Sequence, residues 1–147
     1  MSGLSVQTRT TAMAIINSFQ KCLDSPYLFE DKEAPARIVE LLAKAGDRLD
    51  AAVNIHTTGQ GDPADIVFLS YEAMFCCLRA LVYAKGYREH GLRCLLLACE
   101  GLYVRTGQLD AELLRKFELA QRLKLAPADA VETCSAFVKR TLELLGQ

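Results

Sequence analysis

Apolar residues along this chain recur at spacings of three and four, and every strong periodic signal is helical. The first such stretch, Thr8 to Cys22, carries Met13, Ile16, Phe19 and Leu23 on that rhythm. Asp24 to Asp31 reads as a loop, because Pro26 disfavours a helix there. Pro35 suits the first turn of a second helix, whose inward face carries Ile38, Leu41, Leu42, Ala45, Leu49 and Val53. The run Thr57 to Asp62 breaks it. Asp62 and Pro63, an N-cap acid followed by proline, open a third helix that runs to about Lys85, with Gly86 just past its end. This helix is apolar on almost every face, so the others are expected to wrap it. A fourth, from about Glu89 to Arg105, is similarly apolar and stops at Thr106 to Gln108. A fifth, more charged, spans about Asp110 to Leu125. A sixth opens at Pro127 or Ala128 and closes on Leu142, Leu144 and Leu145. Short polar joints between helices predict an all-α, up-and-down antiparallel bundle of five to six helices.

The 147 residues amount to one domain, 1–147, with residues 1–7 expected as a flexible N-terminus. At 51% hydrophobic and 24% charged, the composition supports a packed core and excludes wholesale disorder. The 17 basic and 18 acidic residues nearly cancel. DNA is therefore not an expected partner, and any nucleic-acid contact needs a local patch. The window Ala64 to Ala84 is long enough to span a bilayer, but Asp65, Glu72 and Arg79 lie within it. A buried helix of a bundle fits better than a membrane span. Met1 to Thr11 lacks the charged-then-apolar order of a signal peptide. A cytoplasmic location follows as an expectation, with Cys22, Cys76, Cys77, Cys94, Cys99 and Cys134 all reduced.

The cysteines do not have the spacing of a metal site. Cys76 and Cys77 are adjacent and diverge by roughly 100° on a helix, while Cys94 and Cys99 miss a common face. They read as small buried hydrophobes, and neither a metal nor another cofactor is expected. Two charge pairs at heptad spacing, Glu72 with Arg79 and Arg93 with Glu100, sit inside the two most apolar helices. In an antiparallel hairpin turning near Tyr87, Arg79 would fall between the levels of Arg93 and Glu100. Arg–Glu pairing that fixes helix register is one account, with Glu72 and Glu100 as structural charge partners. The other is a polar seam that receives an anionic ligand through the guanidinium groups. His90, beside Glu89 and Gly91, could move a proton or simply serve a turn. His56 suits the end of the second helix, where the dipole favours it. No glycine-rich phosphate loop and no nucleophile elbow is present.

The stretch from about Ile66 to Lys124 resembles the HEPN domain (higher eukaryotes and prokaryotes nucleotide-binding), especially its small stand-alone members. The resemblance lies in Tyr71-x-Ala-Met-Phe75 and in Arg79-Ala-Leu-Val-Tyr-Ala-Lys-Gly86 on the third helix. It continues through His90-Gly-Leu, Gly101-Leu-Tyr-Val-Arg-Thr-Gly-Gln-Leu109 and Arg115-Lys-Phe-Glu-Leu-Ala-Gln-Arg122. It implies an all-α bundle that dimerises and that acts as a metal-independent ribonuclease, as the companion of a small nucleotidyltransferase in a toxin–antitoxin-type module, or as a binding scaffold. Ribonuclease members carry an arginine four to six residues before a histidine, one to steady phosphate and one to move a proton. At the corresponding positions this chain has Ala120 and Leu125.

Three functions follow. The first is a non-catalytic, dimeric interaction or nucleotide-binding protein, partnered by a small nucleotidyltransferase or binding a nucleotide or RNA. The second is a divergent ribonuclease using His90 with Arg79, Arg93 or Arg122. The third is a scaffold without ligand. For an anionic ligand the expected contacts are Arg79 and Arg93, with His90 and Arg122 behind them, because a weakly hydrated guanidinium in apolar surroundings binds phosphate more strongly than an exposed lysine.

Overall fold

In the computed structural model, which describes residues 17–147, six α-helices wrap one hydrophobic core. They are α1 (Phe19–Leu23), α2 (Ile38–Thr58), α3 (Pro63–Ala84), α4 (Leu92–Cys99), α5 (Ala111–Gln121) and α6 (Pro127–Leu145). The all-α bundle expected from the periodicity is what forms. The expected first helix falls largely on residues outside the described ones, as does the N-terminal segment 1–7, and its described remainder is α1.

Helix α3 is the axis of the fold. It packs against α2, α4, α5 and α6, and its buried residues extend from Ile66 to Tyr83. It is the one described helix long and apolar enough to cross a membrane, and 67% of its most apolar window is buried by its neighbours. Its start obeys the sequence: Asp62 accepts the backbone N–H of Ala64 at 3.0 Å, and Pro63 occupies the first turn. Asp110 caps α5 in the same way through Glu112. Gly59, left-handed at φ 69°, closes α2.

Four features depart from the sequence reading. Val53 is 40% exposed rather than inward, and Ala52 takes the core position beside it. Helix α5 stops at Gln121 instead of Leu125, because Leu123 adopts a left-handed φ of 55° that an α-helix cannot contain. Helix α4 starts three residues late. Tyr87–Glu89 forms a strand, β2, and pairs antiparallel with β1 (Leu28–Glu30) from the segment expected to be a plain loop. The register sets Leu28 opposite Glu89 and Phe29 opposite Arg88. Beyond α4, Glu100–Val104 continues as a π-helical turn. There Tyr103 donates its phenolic O–H to the Leu81 carbonyl at 2.5 Å, satisfying an acceptor near the end of α3.

The fourth departure is covalent. Cys22 and Cys94 form a disulfide with Cα atoms 5.7 Å apart, so the expectation that all six thiols are reduced fails for this pair. Spacing arithmetic could not find it, because the partners are separated by 72 residues and meet only once α1 has docked on α4. Around the bond, the Phe19 ring meets Tyr87 edge-on, and a Cβ at Gly101 would stand only 2.8 Å from that of Phe19. The absent side chain at Gly101 is what allows α1 to lie this close.

Cys76, Cys77, Cys99 and Cys134 are free and buried. Burial pushes the thiols of Cys99 and Cys134 up to about 12 and that of Cys77 higher still, so they stay protonated and unreactive at neutral pH. We expect slow labelling of the native protein by a thiol reagent. Denaturation without reductant should then expose four reactive thiols of the six cysteines. Six thiols before reduction would refute the disulfide.

Candidate functional site

The loop that reverses the chain after α3 builds a polar site. Gly86, at φ 83°, turns the backbone sharply, and β2 runs back alongside the last turns of α3. Arg79 and Tyr83 lie one helical turn apart on the face that β2 meets. Glu89, with 4% of its side chain exposed, sits between them. Its Oε2 accepts from Arg79 Nε at 2.9 Å, and its Oε1 accepts from Tyr83 O–H at 2.6 Å. Both carboxylate oxygens are therefore answered, as a buried charge requires.

Two more arginines close the cleft around this core. Arg37 comes from the 3₁₀ turn Ala34–Arg37 that leads into α2, and Arg88 from β2. With Leu41 they complete a largely polar cleft of about 210 Å³ beside Arg79, Tyr83 and Glu89. Arg88 is held loosely by Asp31 at 3.6 Å. Arg37 has no ion-pair partner among the described residues. Arg79 is anchored on its other side: its guanidinium carbon lies 4.5 Å from the Phe75 ring centre. Phe75 and Tyr71 in turn pack on Phe117, with Tyr71 stacked on it at 5.0 Å. The geometry is three cationic forks around one neutralised carboxylate, with a surplus of positive charge facing solvent.

The candidate residues from the sequence do not meet in one place. Arg79 lies in the cleft, but its partner is Glu89 rather than Glu72 or Glu100. Glu72 pairs instead with Arg48 at 3.6 Å. Arg93 and Glu100 are exposed on α4 and its π-helical turn, where both border a separate hollow of about 170 Å³ against α5. Among the described residues no ion pair joins them. His90 follows β2, exposed, with its ring 5.0 Å from that of Phe29 and its backbone N–H donated to Tyr27. Arg122 caps the end of α5 in solvent. Ala120 is buried and Leu125 half-buried. Sequence reasoning missed Arg37, Tyr83 and Arg88. Tyr83 could have been found four residues after Arg79, on the same stripe of α3.

Among the described residues no group of three or more His, Cys, Asp or Glu comes together to hold a metal ion. The HEPN domain family matches residues 38–143, and the chain belongs to that family. Its members are often ribonucleases or nucleotide-binding proteins. Neither a curated protein nor a solved structure matches the chain. Helix α1, β1 and Arg37 lie outside the matched residues, so the cleft joins the family core to the segment before it.

Two outcomes test this geometry. Arg79→Gln strands a buried carboxylate, although Arg79 is itself 41% exposed. It should cost roughly 2–3 kcal/mol in urea unfolding. Glu89→Gln keeps one acceptor oxygen for Arg79 Nε–H and turns its NH2 toward the Tyr83 hydroxyl, which can accept in its place, so it should cost only about 1–2 kcal/mol. The reverse order would show that Arg79 does not compensate the charge of Glu89. The second outcome is alkaline. Burial pushes the phenols of Tyr83 and Tyr103 up to about 12, and the Glu89 bond adds to the rise at Tyr83. A phenol raised above its unfolded value, about 10, contributes stability that is complete below that pH and lost as pH climbs through about 12. Phenolate absorbance should therefore show Tyr83 and Tyr103 ionising last, together with loss of helix, with Tyr71 also held above the ordinary phenol value by burial. Ionisation of all five near the ordinary value, with helix intact, would contradict the buried contacts.

Proposed function

We propose that this chain is a non-catalytic HEPN protein that binds a phosphate-bearing ligand in the cleft of Arg37, Arg79 and Arg88. The observation that carries this reading is the convergence of three guanidinium groups from three separate elements on one open cleft. A guanidinium fork matches phosphate oxygens in pairs, and in a partly desolvated cleft that contact outweighs a surface lysine's screened attraction. Glu89 engages Arg79 through Nε, which leaves the far edge of the fork to an incoming anion. Binding rather than cleavage is supported by Ala120 and Leu125, which offer neither charge nor proton where ribonuclease relatives carry arginine and histidine. His90, whose ring lies tilted against that of Phe29, completes no such pair.

The same reading takes the protein as a cytoplasmic homodimer, with a nucleotide or RNA as ligand and a small nucleotidyltransferase, in a toxin–antitoxin-type module, as partner. Support for self-association comes from Val39, Phe68 and Leu123, at 72%, 53% and 68% exposed, and from half-buried Leu96 and Leu97 on α4. Light scattering should return twice the 16.2 kDa chain mass.

Calorimetric titration with ATP and with inorganic triphosphate tests the cleft. The wild type should bind both, more weakly as salt rises. The double variant Arg37→Gln, Arg88→Gln should lose at least about tenfold in affinity, since a charge-assisted contact contributes roughly 1.5–3 kcal/mol. Its melting temperature should hardly move, because neither residue supports the core. Absence of binding, or binding indifferent to the double variant, would remove the cleft from this reading. Metal-free RNA cleavage that disappears in His90→Ala would install the ribonuclease instead.

A further inference from the structure

We propose that the Cys22–Cys94 bond is a redox-controlled staple that sets the order of the arginine cleft, an inference that rests on the cleft being the ligand site. The topology carries it. Cys22 precedes β1, Cys94 follows β2, and the disulfide closes the open end of the two-stranded ladder. Arg88 and Glu89 are β2 residues, and Asp31, which holds Arg88, follows β1 directly. Two strands of three residues are marginal by themselves. So is a five-residue helix. Beyond the ladder bonds, the pair is held by Asp31 N–H to the Gly86 carbonyl at 2.8 Å and His90 N–H to the Tyr27 carbonyl at 2.9 Å. Phe19 adds its edge-on contact to Tyr87, the residue before Arg88. Without the covalent tie, α1 and β1 are held by these contacts and by the packing of Phe19, Leu23 and buried Leu28 alone, and the pairing of β1 with β2 weakens.

The chemistry is reversible thiol–disulfide exchange. A thiolate of a small dithiol attacks one sulfur of the bond and displaces the other cysteine as thiolate, which takes up a proton. The second thiol of the reductant then closes on the first, releasing the remaining cysteine as a thiol and leaving a cyclic disulfide. Two electrons and two protons pass from the dithiol to Cys22 and Cys94. A disulfide-bearing oxidant reverses every step. Both cysteines are buried, at 0% and 3% exposed, so exchange follows local opening of α1.

Two measurements on the full chain decide the matter. Hydrogen–deuterium exchange, with and without dithiothreitol, should show amides of residues 27–31 and 87–90 exchanging about tenfold faster after reduction, while α3 stays protected. Titration with inorganic triphosphate should show affinity falling by about the same factor, because apparent affinity scales with the fraction of molecules in which the ladder is formed. The variant Cys22→Ser, Cys94→Ser should behave as reduced under both conditions, and Cys76→Ala should keep the response. If reduced wild type retains slow exchange and full affinity, the staple has no such role. If oxidised wild type binds no triphosphate, the cleft reading falls and the switch proposed on it falls too. Affinity that reduction leaves unchanged overturns the switch alone.

Discussion

A carboxylate with almost no access to water has to be answered by donors, and in this fold Glu89 is that carboxylate. Arg79 and Tyr83 answer it from consecutive turns of α3, and this triad of side chains fixes where β2 lies against the central helix. Much else follows from that placement. β1 pairs with β2, and the 3₁₀ turn that carries Arg37 follows β1 within a few residues. The cleft is therefore a by-product of neutralising one buried charge. Its asymmetry has the same origin: Arg79 is committed to the fold through one edge of its fork, whereas Arg37 and Arg88 are not needed by the core.

Helices were legible in the sequence wherever their determinants are local. Asp62 with Pro63, Asp110, Pro127 and Gly59 each start or stop a helix by contacts within a few residues, and the apolar surface of α3 announces a buried axis. The ladder was not legible, because three-residue strands carry no periodicity and the burial of Leu28 depends on a partner far along the chain. Charge pairing failed for a related reason. Heptad arithmetic treats the chain from Glu89 onward as helix, but Gly91, at φ 127°, delays α4 and frees Glu89 to meet Arg79 first. Of the cleft, Arg79 could be named from its apolar surroundings alone. Arg37 could not, since nothing near it in sequence hints at convergence.

The boundary of the family match sharpens this division. Residues 38–143 supply the helical frame and Arg79, Tyr83, Arg88 and Glu89. The segment before them supplies Arg37, Asp31, β1 and the cysteine that meets Cys94. The proposed ligand site is thus assembled from the common frame and a chain segment outside it, with the disulfide and a two-stranded ladder as the join. On the proposed reading, Gly101 and Phe19, remote from the arginines, bear on them through the docking of α1.

The disulfide also has a mechanical meaning. It encloses α2 and α3 in a covalent loop whose ends meet at Cys22 and Cys94. A pull applied to the two ends of the chain would pass from one sulfur to the other and bypass everything between. The central helix would bear no tension until that bond was cut, so the part of the fold richest in buried contacts is also the part shielded from load.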